Sequence, residues 1–249
     1  FGGYSKDGEI PKKILKGLPH DVSLIYWDYY STETEHYDSI IKQHKKFPNK
    51  IIFAGGAWTW TGFTPHNGYS MQTIKASLNA CKKNKIKDYF ITMWGDNGGE
   101  CSPFKMLPSL VFAAERAYGK NSQSNLKQSF ELITGCRYNT FMYADLPNIT
   151  GSSKALNTNN PSKYILYNDC FSGIFDTLIA PKDKEIYPSH IKNLKKAEKI
   201  EAWGYLFKPL RHLCEVLYIK YDLGLKTREL YYNKDREGIS ELIENAYKP

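Results

Sequence analysis

Cysteine is scarce and unpatterned in this chain. The five residues (Cys81, Cys101, Cys136, Cys170 and Cys214) are odd in number, far apart, and form no C-x-x-C pair. That excludes a disulfide framework and a structural zinc, and points to a reducing compartment, with the cytoplasm the expected location. No apolar run reaches membrane-spanning length, so no membrane partner is expected. The glycine fingerprints of nucleotide and acyl-transfer sites are missing too: there is no P-loop, no G-x-G-x-x-G and no G-x-S-x-G. No cofactor and no metal are expected. Positive charge is in excess, 34 Lys and Arg against 26 Asp and Glu for a net +8, but it never gathers into a stripe. Lys42, Lys45 and Lys46, then Lys82, Lys83, Lys85 and Lys87, then Lys192, Lys195, Lys196 and Lys199 read as solvated helix faces, so no nucleic-acid partner is expected.

Aromatic side chains are what the chain has in plenty. They make up 14% of 249 residues, with 19 Tyr and 5 Trp, and such rings suit carbohydrate, nucleobase or protein partners. At 41% hydrophobic and 24% charged, the composition excludes disorder, and the length fits one α/β barrel or two smaller domains. Phe1-Gly-Gly-Tyr-Ser lacks an initiator Met and opens with no capped element, so residue 1 is expected not to be the natural beginning.

Residues 1–20 read as a loop leading into a short amphipathic segment, with Pro11 at its start and Ile14, Leu15 and Leu18 as apolar contacts. The pattern then alternates. Strands at about 22–27, 50–54 and 88–94 are separated by helices at about 33–46 and 70–84, and a third helix runs from Pro103 to Gly119. Ser70 is the expected N-cap of the second helix, whose core face carries Met71, Ile74, Leu78 and Cys81. Three β-α units imply a parallel sheet. After about residue 120 the alternation stops. Helical periodicity covers about 125–134, 137–144, 188–200, 201–222 and 226–247, with a polar connection at about 147–162. Gly224 is expected to break the last pair into an antiparallel hairpin, and Pro209 to strain the helix before it. Three strands cannot close a barrel, which needs about eight. The expected fold is therefore α/β: the C-terminal part of a larger barrel domain over residues 1–119, followed by an all-α domain over 120–249. The Tyr-rich helix with Tyr205, Leu206, Leu210, Leu213, Leu217, Tyr218 and Tyr221 is expected chiefly as internal core, with a homodimer through the helical domain as the other use.

The three strands end alike. Val22–Tyr30, Ile51–Phe63 and Tyr89–Glu100 each begin as apolar runs and open into Trp, Tyr, Asp and Gly, which a strand interior disfavours. A shared site at the carboxyl edge of a parallel sheet follows. Any one Trp is most simply core, but Trp27, Trp58, Trp60 and Trp94 together make a box of indole faces suited to a pyranose ring. Asp28, Asp96 and Glu100 would accept hydrogen bonds from sugar hydroxyls or an amide, and Tyr29 or Tyr30 would donate to a substrate carbonyl. Each acid also has a structural reading: an Asp turn for Asp96, a helix-terminus carboxylate or salt bridge for Asp28 and Glu100. His66 is expected to cap or pack its loop and Cys101 to sit beneath the site. The sequon Asn148-Ile-Thr150 is expected to be incidental.

As a set, Tyr-Trp-Asp-Tyr-Tyr at 26–30, Phe-Ala-Gly-Gly-Ala-Trp-Thr-Trp-Thr-Gly-Phe at 53–63 with Pro65-His66-Asn67, and Met-Trp-Gly-Asp-Asn-Gly-Gly-Glu-Cys-Ser at 93–102 resemble the family 20 glycoside hydrolases. Among these they resemble bacterial exo-β-N-acetylglucosaminidases whose barrel is followed by a helical domain, and Asn160–Asp169 is similar to a segment of that domain. The resemblance implies the sixth to eighth strands of an eight-stranded barrel and hydrolysis of terminal GlcNAc or GalNAc by substrate-assisted retention. It implies N-acetylated amino-sugar glycans as partners and no cofactor. The Asp-Glu pair that orients the acetamido group and protonates the leaving oxygen would lie upstream of Phe1, so this piece alone is expected to be inactive. Trp94 resembles the tryptophan under the sugar ring, Trp27 and Trp58 further walls, Asp96 the acid on the distal hydroxyls, and Tyr29 or Tyr30 the acetamido tyrosine. A non-catalytic carbohydrate-binding or assembly module is the alternative.

Overall fold

The computed structural model of the chain describes residues 12–119, 123–151 and 160–248. The expectations for residues 1–11, Pro11 among them, for the side chain of Leu15, and for the middle of the 147–162 connection lie outside the described residues.

The chain is mixed α/β and mostly helical. A short helix α1 (Lys12–Gly17) precedes β1 (Leu24–Trp27), α2 (Thr34–His44), β2 (Ile51–Gly56), α3 (Asn67–Lys83), β3 (Asp88–Thr92) and α4 (Leu107–Tyr118). The strands form one parallel sheet in the order β1-β2-β3, with Trp27 opposite Ala54 and Gly56 opposite Thr92. Because side chains alternate along a strand, the sheet has two faces. On one face Tyr26 and Phe53 are buried against Tyr37 and Ile41 of α2 and Ala76, Ala80 and Cys81 of α3, with Tyr89 packed beside them. On the other face Ile25, Trp27 and Phe90 stand exposed. Among the described residues nothing pairs with the outer edges of β1 and β3.

The helical half follows: α5 (Gln123–Thr134), α6 (Tyr138–Phe141), α7 (Pro161–Tyr167), α8 (Tyr187–Ala197), α9 (Gly204–Lys220), α10 (Leu223–Tyr232) and α11 (Arg236–Leu242). Its core is closed. Phe130, Phe141, Tyr187, Leu194, Phe207, Leu210, Cys214 and Leu217 are fully buried together, and Trp203 Nε1 donates to the Thr134 carbonyl at 2.9 Å. Val111 of α4 belongs to this core, while Ala113 faces Ile74 and Leu78 of α3, so α4 is shared between the halves. None of the cysteines is bridged. Among the described residues no helix is long and apolar enough to cross a membrane.

Five local expectations need correction. Helix α3 begins at Asn67, not after Ser70, because its first turn is capped from far away: the Asp145 carboxylate accepts from Gly68 N and from Asn67 Nδ2, each at 2.9 Å. Ser70 instead sits inside the helix, where its Oγ accepts from Trp58 N at 2.9 Å. Gly224 is not a breaker but lies within α10, where a Cβ would stand 3.1 Å from Cys170 Cα. The last segment breaks at Lys234, whose φ is 55°, and Asp235 then caps α11 through Gly238 N. The helix expected at 137–144 divides into α6 and a 3₁₀ stretch, Met142–Asn148, that contains Pro147. Ile14, expected as an apolar contact, is exposed.

Candidate functional site

The parallel register sets the carboxyl ends of β1, β2 and β3 side by side. Trp27 closes β1, and Trp94 follows β3 by two residues. The two indoles stack across the middle strand with ring centroids 4.9 Å apart and planes 24° apart. Trp27 is 51% exposed and Trp94 36%, so they form an apolar slab at the end of the bare face. Backbone and hydroxyl contacts fix this placement. Ala57 N donates to the Thr92 carbonyl at 2.9 Å, Thr92 Oγ1 to the Gly55 carbonyl at 2.9 Å, and Thr59 Oγ1 to the Trp94 carbonyl at 2.7 Å. An open groove of about 1010 Å³ runs past Trp27, Tyr29, Phe90 and Trp94 and around the β1 edge to His36.

Trp58 and Trp60 stand behind this surface. Trp58 is only 2% exposed and stacks on Trp60 at 4.3 Å. Tyr29 covers both, edge-on to Trp58 at 5.7 Å and to Trp60 at 4.9 Å, and Trp58 Nε1 donates to the Tyr29 carbonyl at 3.1 Å. Gly56 makes this approach possible, since a Cβ there would stand 2.7 Å from the Tyr29 ring. Tyr30 is exposed, and Tyr69 donates to its carbonyl. Burial, then the neighbouring Tyr30 and Asp96, pushes the Tyr29 hydroxyl up to about 12, which keeps it a hydrogen-bond donor at neutral pH.

The three acids have separate surroundings. Asp28 is fully engaged by the protein: Oδ2 accepts from the Tyr26 hydroxyl at 2.8 Å and meets His36 Nε2 at 2.6 Å, while Oδ1 accepts from Tyr30 N at 3.1 Å. Asp96 opens an exposed 3₁₀ turn, Asp96–Gly98, and lies close enough to Tyr29 to bear on its ionisation. Glu100 turns away from the indoles, and its Oε2 accepts from Lys163 Nζ at 2.7 Å. The structure thus brings Trp27, Tyr29, Tyr30, Trp94 and Asp96 together at the open surface. Asp28 lies beside them as a clasp, Trp58 and Trp60 lie beneath, and Glu100 points elsewhere.

Residues 139–248 match the sequence model of a known domain, described as the glycoside hydrolase 20C C-terminal domain. Over that stretch, less than half of its length, the chain is similar to the C-terminal domain of family 20 glycoside hydrolases. No curated protein matches the chain. The matched stretch begins after the sheet, so all the strand-end residues precede it.

The helical half docks on the loops of the sheet through polar side chains that carry little local sequence signal. Asp145 is buried, and burial pushes its carboxyl up to about 6 against the hydrogen bonds from Gly68 and Asn67. Asn67 Nδ2 also donates to the Lys105 carbonyl, and its Oδ1 accepts from Ser109 Oγ at 2.8 Å. Asn148 is fully buried: Nδ2 lies 3.3 Å from His66 Nε2, and Oδ1 accepts from Ser162 N. The sequon asparagine is therefore structural. His66 packs its loop as expected. It is buried against Thr61 Oγ1 at 2.9 Å, and burial pulls its pKa down to about 4. Cys101 is buried, with its thiol pushed up to about 12, so it is no nucleophile. The one hint in the sequence was the segment Asn160–Asp169, which contains two residues of this seam, Asn160 and Lys163.

Proposed function

We propose that this chain is the carboxyl-terminal part of a β-N-acetylhexosaminidase that removes terminal, non-reducing GlcNAc or GalNAc. The observation that carries the reading is the one-sided sheet: parallel strands covered by helices on one face, bare and apolar on the other, with stacked indoles at the carboxyl end of the bare face. Parallel sheets are ordinarily buried on both faces. A sheet whose inner face and both edges are open among the described residues has the form of a sector of a (β/α)8 barrel, which supports a barrel part over residues 1–119, as about strands six to eight, and a helical domain over 120–249.

Within that reading the Trp27–Trp94 slab is the platform for the apolar face of the sugar ring, and Asp96 accepts from its hydroxyls. Tyr29, protonated and braced by Trp58 and Trp60, donates to the acetamido carbonyl as the oxazolinium intermediate forms. The Asp-Glu pair that orients the acetamido group and protonates the leaving oxygen is supplied by chain upstream of Phe1. Asp28 and Glu100 are satisfied by the protein, so they serve the loops rather than the sugar.

The same observation favours one further reading for the piece by itself: a platform of rings with one acid at the open surface binds sugar without cleaving it. A chromogenic N-acetylglucosaminide assayed with the full-length gene product and with residues 1–249 separates these. Turnover by the former and none by the latter is expected, since loss of the general acid alone costs about 10²–10⁴-fold. Activity in the short chain would overturn the placement of the acid pair upstream of Phe1. Saturable binding with no turnover by the full-length product would favour the binding module.

A further inference from the structure

Helix α7, in the helical half, touches both loops that carry the indoles. Asn160, just before it, donates from Nδ2 to the Thr61 carbonyl at 2.5 Å, and lies so close over Gly62 that a Cβ there would clash with the amide. The Asn160 Oδ1 accepts from Lys163 N at 3.3 Å and Ser162 Oγ at 2.8 Å, which fixes the amide it presents to the loop. From the next turn Lys163 Nζ reaches Glu100 Oε2 at 2.7 Å and lies 5.9 Å above the Phe63 ring centroid. Both side chains are largely covered, Lys163 25% and Glu100 21% exposed, so the pair is screened less than a surface ion pair.

Glu100 ends the segment that begins at Trp94. Between them the backbone is folded tightly: Gly98 and Gly99 have φ of 95° and 62°, and Gly99 N donates to the Gly95 carbonyl at 3.0 Å. The loop is thus pinned at both ends, by Thr59 at the Trp94 carbonyl and by Lys163 at Glu100. We infer that Lys163 is a positioning residue for the sugar pocket: through Glu100, the helical domain sets where Trp94 and Asp96 stand. The domain is then part of the binding machinery without touching the ligand. The inference rests on the proposed sugar site for its effect on affinity, but the clamp itself is a matter of loop position.

The test uses the full-length gene product with Lys163→Met, Glu100→Lys, the swapped pair Glu100→Lys with Lys163→Glu, and Lys184→Met. Lys184 serves as the control because its ion pair with Asp222 lies in the same domain and is similarly covered, yet touches neither loop. Hydrolysis of the chromogenic N-acetylglucosaminide, thermal melting, and circular dichroism of the Trp27–Trp94 stack (as the difference from Trp27→Phe) are read together. Lys163→Met is expected to raise KM about tenfold with kcat within about twofold, the pattern of lost uniform binding, and to weaken the stack signal. The swapped pair should restore both. Lys184→Met should lower the melting temperature and leave KM and the stack signal alone. Equal effects of Lys163→Met and Lys184→Met, or an unchanged stack signal in Lys163→Met, would overturn the clamp. If the wild-type protein hydrolyses no amino-sugar, the functional reading fails, and the clamp is still judged on the stack signal alone.

Discussion

The two halves of this molecule solve the burial problem differently. The helical half closes its own core, with Phe130, Phe141, Tyr187 and Phe207 at full burial and aromatic edges meeting aromatic faces around Phe141. The sheet half closes only one side. Tyr26 and Phe53 are buried, while Ile25, Trp27 and Phe90 of the same sheet stand exposed. The difference is what the proposed function rests on: in that reading the self-contained helical half is scaffold, and the apolar, indole-tipped face is where further chain or a ligand packs.

That contrast can be broken most severely by truncating one ring on each side. Phe207→Ala should cost about 3–5 kcal/mol in urea titrations of the 249-residue chain. Phe90→Ala in the same chain should cost under about 1 kcal/mol, as for other exposed positions. If the bare face is a barrel interior, Phe90→Ala in the full-length protein should instead approach the cost of Phe207→Ala. Equal, small costs in both lengths would leave the face simply solvent-exposed.

The seam between the halves gives the next largest effect. Asp145 titrates in the fold near about 6, above the roughly 3.9 of an unfolded carboxyl, so its contribution is full below about pH 4 and lost as pH rises through about 6. His66 is shifted the other way, to about 4 from roughly 6.5, so its contribution is full above about pH 6.5 and lost as pH falls through about 4. Between these limits the two slopes oppose each other. Asp145→Asn removes one of them, so relative to wild type its stability should fall by about 2–3 kcal/mol from pH 6.5 to pH 4. Urea midpoints across that range check it, and a flat difference would contradict the linked burial of the seam.

Gly56→Ala sharpens the comparison within the sheet half. The added methyl meets the Tyr29 ring at 2.7 Å and Trp60 at 3.0 Å, and overpacking of this kind costs about 1–3 kcal/mol. It should weaken sugar binding as well, because Tyr29 is the ring displaced. Unchanged melting and affinity would mean that Tyr29 moves freely.

Much of this was legible in the sequence, and the failures share a cause. Period-two and period-3.6 patterns gave the alternation from β1 to α4, and the resemblance of the strand-end motifs pointed to the family that residues 139–248 match. Ser70 misled because the true cap of α3, Asp145, lies 77 residues from Gly68. The ion pair of Glu100 was not legible because its partner, Lys163, is 63 residues away. Trp58 and Trp94 have the same local signature, Gly nearby and polar neighbours. Only the packing of Tyr29 and Tyr69 puts one indole inside and leaves the other open. Helix α7 was missed because seven residues carry too little periodicity to read.

The most direct measurement is steady-state kinetics of Trp94→Ala in the full-length protein on a chromogenic N-acetylglucosaminide, with thermal melting as the check on folding. An exposed indole that serves as the sugar platform should, when removed, raise KM by about ten- to a hundredfold while the melting temperature barely moves. A variant with wild-type KM would contradict the assignment of the bare, indole-tipped face as the place where the sugar binds.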